Sequence, residues 1–170
     1  MGRQIGFGAI VLAGVAAALV TLSAQGGSSA PQTSRIYQEE IHIGIGAGED
    51  RGFASSSIIP AGKRLIVEYI SAFARVAPGQ RVWELLVAPT AGGSVVNTDL
   101  LMTLQGTYRN GAYDGLVSSG PVKLYGDPNT SIDVSAFLTT VNGATPADVW
   151  VKLSGKLVPC GNGQGCPLTD

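Results

Sequence analysis

From residue 36 onward, apolar and polar residues alternate in short runs, and turn-forming residues separate one run from the next. This period of two is that of a half-buried β-strand, and no long segment has the helical period. The predicted strands are Tyr37–Ile45, Phe53–Ile59, Lys63–Val76, Arg81–Ala88, Leu100–Tyr108, Ala112–Val117, Val122–Tyr125, Ile132–Val141 and Asp148–Val158. Since Gly, Pro, Asn and Asp fill the gaps, the 24 glycines are explained by turn chemistry.

Seven to nine strands at a spacing of about 8–14 residues predict an all-β fold, an antiparallel β-sandwich. A jelly roll is the first choice of topology, on strand count. An immunoglobulin-like sandwich is the second choice, because the chain lacks the cysteine pair that joins the two sheets of antibody domains.

Two turn sequences predict which strands are neighbours. Asn110-Gly111 lies between two apolar runs and is a strong hairpin signal. Pro78-Gly79 separates Lys63–Val76 from Arg81–Ala88, and we expect these two runs to pair as a hairpin as well. Lys63–Val76 has apolar residues on both faces, so either both faces are covered or a bulge switches the faces partway along the strand.

The first 24 residues have the layout of a secretory signal peptide. Arg3 precedes an uncharged apolar run from Ile5 to Leu22, and the small residues Ser23 and Ala24 follow as cleavage sites. An uncleaved signal anchor is the alternative, since the run is near the lower limit for spanning a bilayer. We expect a flexible spacer over residues 25–35, a β-sandwich domain over 36–158 and a tail over 159–170, with no membrane insertion after cleavage.

Cys160 and Cys166 are the two cysteines of the chain, and five residues separate them. In an exported protein this spacing predicts a small disulfide loop in the tail. A redox motif would need a two-residue spacing, and a structural zinc site would need four ligands. The sequence therefore predicts neither a metal site nor a cofactor.

The charge balance argues against a nucleic-acid partner. With 11 Lys and Arg against 12 Asp and Glu, the formal net charge is -1, so the chain lacks the excess of cations that phosphate backbones require. Hydrogen bonds and aromatic contacts remain as the means by which the chain recognises a partner.

The candidate ligand-binding residues, for a protein or a glycan, lie near two predicted turns and are Tyr108, Tyr113 and Tyr125. The alternative is that each ring caps one end of the core.

No arrangement of residues predicts catalysis, and we assign no catalytic residue. His42 is the only histidine and lies on the polar face of its strand, and no nucleophile-elbow motif occurs in the chain. Glu68 and Glu84 interrupt apolar strands and could form a glycosidase pair. The simpler interpretation is that arginines on the two strands neutralise them, the candidates being Arg64, Arg75 and Arg81.

Three segments of the chain carry a resemblance to known proteins. They are Ile59–Tyr69 (IPAGKRLIVEY), Val122–Pro128 (VKLYGDP) and Ser154–Val158 (SGKLV). In these the chain resembles small exported bacterial β-sandwich proteins of unassigned function. The resemblance implies a bacterial, exported β-sandwich and transfers no functional residue.

These observations favour an exported, non-enzymatic β-sandwich that acts as a binding or interaction module at the cell surface or in the extracytoplasmic space. The first alternative is a structural subunit that self-assembles into a homo-oligomer, in which Ile41, Ile43 and Ile45 add a strand to the sheet edge of a neighbour. The second is a glycan hydrolase that uses Glu68 and Glu84.

Overall fold

The computed structural model describes residues 34–108, 112–139, 145–161 and 166. The predicted signal peptide, residues 1–24, and residues 25–33 of the predicted spacer lie outside these ranges. The strands of the described residues begin at Arg35 and end at Pro159, each one residue beyond the predicted domain bounds.

Two five-stranded antiparallel sheets form the fold, which confirms the predicted all-β sandwich. Sheet A has the order β1-β10-β3-β8-β7, and sheet B has the order β2-β9-β4-β5, with β6 also paired to β4. No helix long and apolar enough to cross a membrane occurs in the described part of the chain. The strands are β1 (Arg35–Ile45), β2 (Arg51–Ser55), β3 (Lys63–Val76), β4 (Val82–Ala91), β5 (Ser94–Val95), β6 (Thr98–Leu100), β7 (Thr103–Tyr108), β8 (Tyr113–Gly126), β9 (Ile132–Leu138) and β10 (Ala147–Pro159).

The strand pairs are nested along the chain. The first strand pairs with the last, β2 with β9, β3 with β8, and β4 with β5 and β6. Each pair, including the innermost, lies in the other sheet from the pair before it, so the chain resembles a long hairpin rolled into two layers. This nested order is the jelly-roll topology, the first choice from the sequence.

The core lies between the sheets and consists of the apolar residues that alternate along each strand. Sheet A contributes Ile43, Leu65 and Ile70, and sheet B contributes Leu85 and Ile132, all of them fully buried. Each such side chain stabilises the fold by about 1.5–3 kcal/mol relative to an exposed position. In the predicted strand Ile132–Val141, the alternating apolar residues that the structure describes are all buried in this core: Ile132, Val134, Ala136 and Leu138.

A β-bulge explains why β3 is apolar on both faces. The register of β3 with β8 shifts between Val67 and Tyr69, and its partner β10 shifts between Ser154 and Gly155. Val67 faces the core before the bulge, Ile70 faces it after the bulge, and Tyr69 is exposed. The bulge left open by the sequence is therefore present, and both faces are covered as well at the start of β3, where Arg64 and Ile66 on the outer side are buried.

A buried ion pair joins the two sheets at one end of β8. The Asp127 carboxylate follows β8, accepts a hydrogen bond from Arg64 Nη2 at 2.7 Å, and accepts another from the Gly93 N–H, at the β4–β5 turn of sheet B, at 3.0 Å. Burial alone would raise the pKa of Asp127, but these hydrogen bonds and the Arg64 charge hold it below its ordinary value.

A second aspartate holds the other end of β8. Asp114 accepts hydrogen bonds from the Gly79 N–H at 3.0 Å, from Thr107 Oγ1 at 2.8 Å and from Arg81 Nη1 at 2.9 Å. The Gly79 N–H is the main reason why the pKa of Asp114 is lowered, followed by Thr107 and Arg81. Asp114 therefore fixes the connection between β3 and β4.

That connection corrects one prediction from the sequence. The predicted hairpin of Lys63–Val76 with Arg81–Ala88 is wrong, because β3 lies in sheet A and β4 in sheet B. The Pro78-Gly79 turn therefore crosses between the sheets. A local turn sequence is compatible with either outcome, and the hydrogen bonds to Asp114 on a distant strand decide between them.

The β7–β8 hairpin confirms the prediction made from Asn110-Gly111: the strands pair antiparallel, with Tyr108 opposite Tyr113, although residues 109–111 lie outside the described ranges. The separate strands predicted at Ala112–Val117 and Val122–Tyr125 are wrong, because a single strand, β8, runs from Tyr113 to Gly126. Its interior Ser and Gly residues pair with β3.

Cys160 and Cys166 form the predicted disulfide, with their Cα atoms 4.6 Å apart. The Cys160 N–H donates to the Gly62 carbonyl at 2.9 Å, so the start of the tail is attached beside the beginning of β3. The predicted disulfide pairing is thus correct.

Candidate functional site

The outer face of sheet A carries a regular array of side chains on three adjacent strands, β1, β10 and β3. The strand register places these side chains in three rows of three, which we call the β1–β10–β3 face. The first row is aromatic, and the second and third rows carry charged, hydroxyl, amide and phenol groups. The rows are His42, Trp150 and Phe73; Glu40, Lys152 and Ser71; and Gln38, Ser154 and Tyr69.

The aromatic row is a continuous cross-strand stack. The His42 and Trp150 ring centroids are 5.1 Å apart with an interplanar angle of 21°, and those of Phe73 and Trp150 are 5.7 Å apart at 27°. Rings at these separations are stacked with an offset, so part of each ring face and the ring edges point to solvent. Phe73 is 37% exposed, and Tyr69, two rows away on the same strand, is 45% exposed.

An ion-paired network supports the end of this row. Asp148 accepts hydrogen bonds from Arg75 Nη2 and, at 2.9 Å, from His42 Nε2. Burial alone would raise the pKa of Asp148, but the hydrogen bonds and charges of Arg75 and His42 hold it below its ordinary value. The Arg75 guanidinium also lies 5.6 Å from the Trp150 ring centroid and 5.1 Å from that of Tyr113, so cation–π contacts fix its position.

Two further ion pairs balance the charge of this face. Lys152 Nζ lies 3.1 Å from Glu40 Oε2, and Lys156 Nζ lies 2.9 Å from Glu68 Oε1. With the Arg75–Asp148 pair included, the cations Arg75, Lys152 and Lys156 each have a carboxylate partner. The face therefore offers hydrogen-bonding groups without an excess of either charge.

Two shallow grooves open on the face. One, of about 210 Å³, is lined by Ser71, Ala72, Phe73, Trp150 and Lys152. The other, of about 420 Å³, is lined by residues of β1 and β10: Gln38, Glu39, Glu40, Lys152, Leu153 and Ser154. Because Lys152 borders both, the grooves adjoin, one lined by aromatic rings and the other by polar groups.

The three tyrosines predicted from the turns do not form one surface. Tyr113 and Tyr125 both lie on β8 but twelve residues apart, which is about 40 Å along a strand. Tyr113 contacts Arg75, whereas Tyr125 lies near Lys123, with Nζ 5.9 Å from the ring centroid. The backbone of Tyr108 is opposite Tyr113, and its side chain lies outside the described residues.

Glu68 and Glu84 lie on strands of different sheets, with the core between the sheets. Since the predicted hairpin of their strands does not form, the two carboxylates do not face a common cleft as a glycosidase pair would. The arginines expected to neutralise them pair elsewhere instead: Arg64 with Asp127, Arg75 with Asp148 and Arg81 with Asp114.

The isoleucines considered for self-assembly face the interior. Ile41, Ile43 and Ile45 are buried in the core of their own chain, on β1 at the edge of sheet A. Because β1 pairs with β10 along one side only, strand addition at its other edge would use backbone groups and would leave these side chains in the core.

Trp150 and Phe73, which the structure places side by side, are not among the binding residues predicted from the sequence. The available signal was Trp150 itself, a large aromatic residue on the polar side of an alternating run. Its neighbour could not be found in the same way, because the contact depends on the register of β10 with β3.

Among the described residues, no group of three or more His, Cys, Asp or Glu side chains could hold a metal ion. Comparison of the chain with protein-family models and with curated proteins finds no match.

Proposed function

We propose that the chain is an exported, non-catalytic binding module whose β1–β10–β3 face binds a neutral saccharide. The observation that carries this proposal is the aromatic groove between Phe73 and Trp150, which adjoins a polar groove through Lys152. Aromatic surface beside convergent hydrogen-bonding groups is the composition of a small-ligand site.

The chemistry of a pyranose ring matches this arrangement. One face of the ring presents C–H groups that pack on aromatic surface, and its edge presents hydroxyl groups that both donate and accept hydrogen bonds. Lys152 and Ser71 supply donors beside the aromatic groove, and Glu40 and Gln38 supply acceptors across the polar groove. The ion pairing of Lys152 with Glu40 favours a neutral ligand over an acidic one.

Two features support a place at the cell surface or in the extracytoplasmic space. Residues 1–24 have the layout of a signal peptide. The Cys160–Cys166 disulfide is compatible with an oxidising compartment. A glycan of the cell surface or its surroundings would be accessible to the protein there.

A glycan array tests the proposal. We expect the protein to bind at least one neutral oligosaccharide, and Phe73→Ala and Trp150→Ala to weaken that binding at least about tenfold, equivalent to roughly 1.4 kcal/mol. Leu101→Ala is the control, since Leu101 is 83% exposed and lies between β6 and β7, away from the β1–β10–β3 face, and should leave binding unchanged. Circular dichroism of each variant verifies that it is folded.

Three results would refute the proposal. One is an array with no neutral saccharide bound by the wild-type protein. Another is binding that survives both substitutions on the β1–β10–β3 face. Capture of a protein through this same face, with no saccharide bound, would also exclude a saccharide as the ligand.

A further inference from the structure

The outer face of sheet B carries a second group of exposed apolar side chains. Phe53 is 83% exposed on β2 and Trp83 is 58% exposed on β4. Phe137 on β9 lies between these strands, and its ring centroid is 5.5 Å from that of Trp83. Leu86 lies in the next row of the same face, opposite Ser135. Exposed aromatic clusters of this kind are typical of interaction surfaces.

Two opposite charges flank Phe137. Arg51 on β2 is opposite Phe137 on one side, and Glu84 on β4 is opposite it on the other. Neither side chain makes an ion pair or hydrogen bond with any residue of the described ranges. This differs from sheet A, where Lys152 and its neighbours are paired within the chain.

We propose that the outer face of sheet B binds a second copy of this chain, in a symmetric dimer. A two-fold axis that lies between the copies and runs along β9 places Phe137 opposite Phe137. The same axis places Arg51 of each copy opposite the partner's Glu84, so that two intermolecular salt bridges form. Two sheet faces packed with nearly aligned strands are the usual arrangement of a β-sandwich.

The order of the charges is the reason to assign the face to a second copy. In a symmetric interface, if residue i contacts residue j, then j contacts i. Arg51 and Glu84 lie on the two sides of Phe137, one strand away in each direction. When two copies face each other, Arg51 can therefore contact the partner's Glu84 while Glu84 contacts the partner's Arg51. A two-fold axis running across the strands would instead bring Arg51 against Arg51, and we exclude that arrangement.

The dimer leaves the β1–β10–β3 faces of the two copies on opposite outer sides of the assembly. If the proposed function is correct, each dimer binds two saccharides. The dimer itself does not depend on that function, because its residues lie on the other sheet.

Charge reversal tests the dimer by sedimentation velocity of the purified protein over a range of concentrations. We expect a wild-type dimer, and at least about tenfold weaker association for Arg51→Glu and for Glu84→Arg, since each change places like charges opposite one another. An equimolar mixture of these two variants should recover the dimer, because every facing pair is then opposite in charge. The double variant R51E/E84R should recover it as well.

Phe53→Ser should weaken the dimer, and Ile36→Ser is its matched control, since Ile36 is 82% exposed on sheet A and should have no effect. A wild-type protein that is monomeric at all concentrations would overturn the proposal, as would single charge variants that dimerise like the wild type. Weak association in both single variants without recovery in their mixture would overturn the two-fold arrangement.

Discussion

Replacing Gly155 by alanine should destabilise the fold far more than the same change at Gly120. Gly155 lies in β10 beside the bulge of β3, where a Cβ atom would lie 1.9 Å from the Ile66 carbonyl oxygen and 2.9 Å from the Val67 Cα. Both obstacles are backbone atoms of a central strand, so no side-chain rotation can relieve the contact. A Cβ atom at Gly120, in β8, meets no atom within 4 Å.

The magnitude follows from the displacement that the new atom requires. Real Cβ contacts are essentially never shorter than 3.0 Å, so β3 and β10 must separate by about 3.0 − 1.9 = 1.1 Å at this point. Strain of this kind in a packed interior costs about 1–3 kcal/mol, and the lost ladder hydrogen bonds add about 1 kcal/mol. We expect Gly155→Ala to lose about 2–4 kcal/mol of unfolding free energy, and Gly120→Ala to change it by less than about 0.5 kcal/mol.

Urea unfolding followed by circular dichroism measures both changes. The urea midpoint of Gly155→Ala should fall while the slope of the transition stays constant. Gly126→Ala should be intermediate, because its Cβ atom would meet the Ile59 Cδ1 atom, the end of a flexible side chain, at 2.4 Å. Equal stability of Gly155→Ala and Gly120→Ala would refute the register of β10 with β3.

Three further changes test the links that hold the sandwich together. The folded-state pKa values of Asp114, Asp127 and Asp148 are lowered from 3.8. The contribution of these carboxylates to stability is therefore complete above about pH 4 and is lost as the pH falls through the folded-state values. Urea midpoints measured from about pH 7 to about pH 2 should decrease in that acid range. Asp127→Ala removes the acceptor of the Arg64 and Gly93 hydrogen bonds, and thermal or urea unfolding should show a loss of about 1–3 kcal/mol. Joint replacement of Cys160 and Cys166 by serine should lower the unfolding free energy by no more than about 2 kcal/mol, since the disulfide closes a short loop.

Much of the fold could be predicted because alternation depends only on local sequence. The strand predicted at Asp148–Val158 is β10 with one more residue at each end, and Val149 and Val151 face the core as expected. Sheet membership could not be predicted in this way. Pro78-Gly79 has the same local chemistry in a hairpin as in a crossing between sheets, and the choice rests on contacts with β8, far away in sequence.

The candidate site was harder to predict than the fold, for the same reason. The composition of the turns placed Tyr113 and Tyr125 near each other, but the continuous strand β8 keeps them apart. Trp150 and Phe73 are more than seventy residues apart in the chain and become neighbours only through the register of β10 with β3. Alternation indicates that Trp150 faces outward, but it places Phe73 on the same face as Leu65 and Val67, and the bulge in β3 turns Phe73 to the outer face. Alternation also carries no information on which strand lies beside which.

Backbone amide shifts of the isotope-labelled protein, recorded by NMR during titration with a saccharide that the array identifies, test the proposed binding site most directly. We expect the shifted amides to cluster in residues 38–42, 150–154 and 69–73, the three strand segments of the β1–β10–β3 face. Phe73→Ala should abolish these shifts at the same saccharide concentration. Shifts confined to the ends of β8 around Tyr113 and Tyr125, or to sheet B, would contradict the assignment of the site, and the absence of any shift would contradict saccharide binding itself.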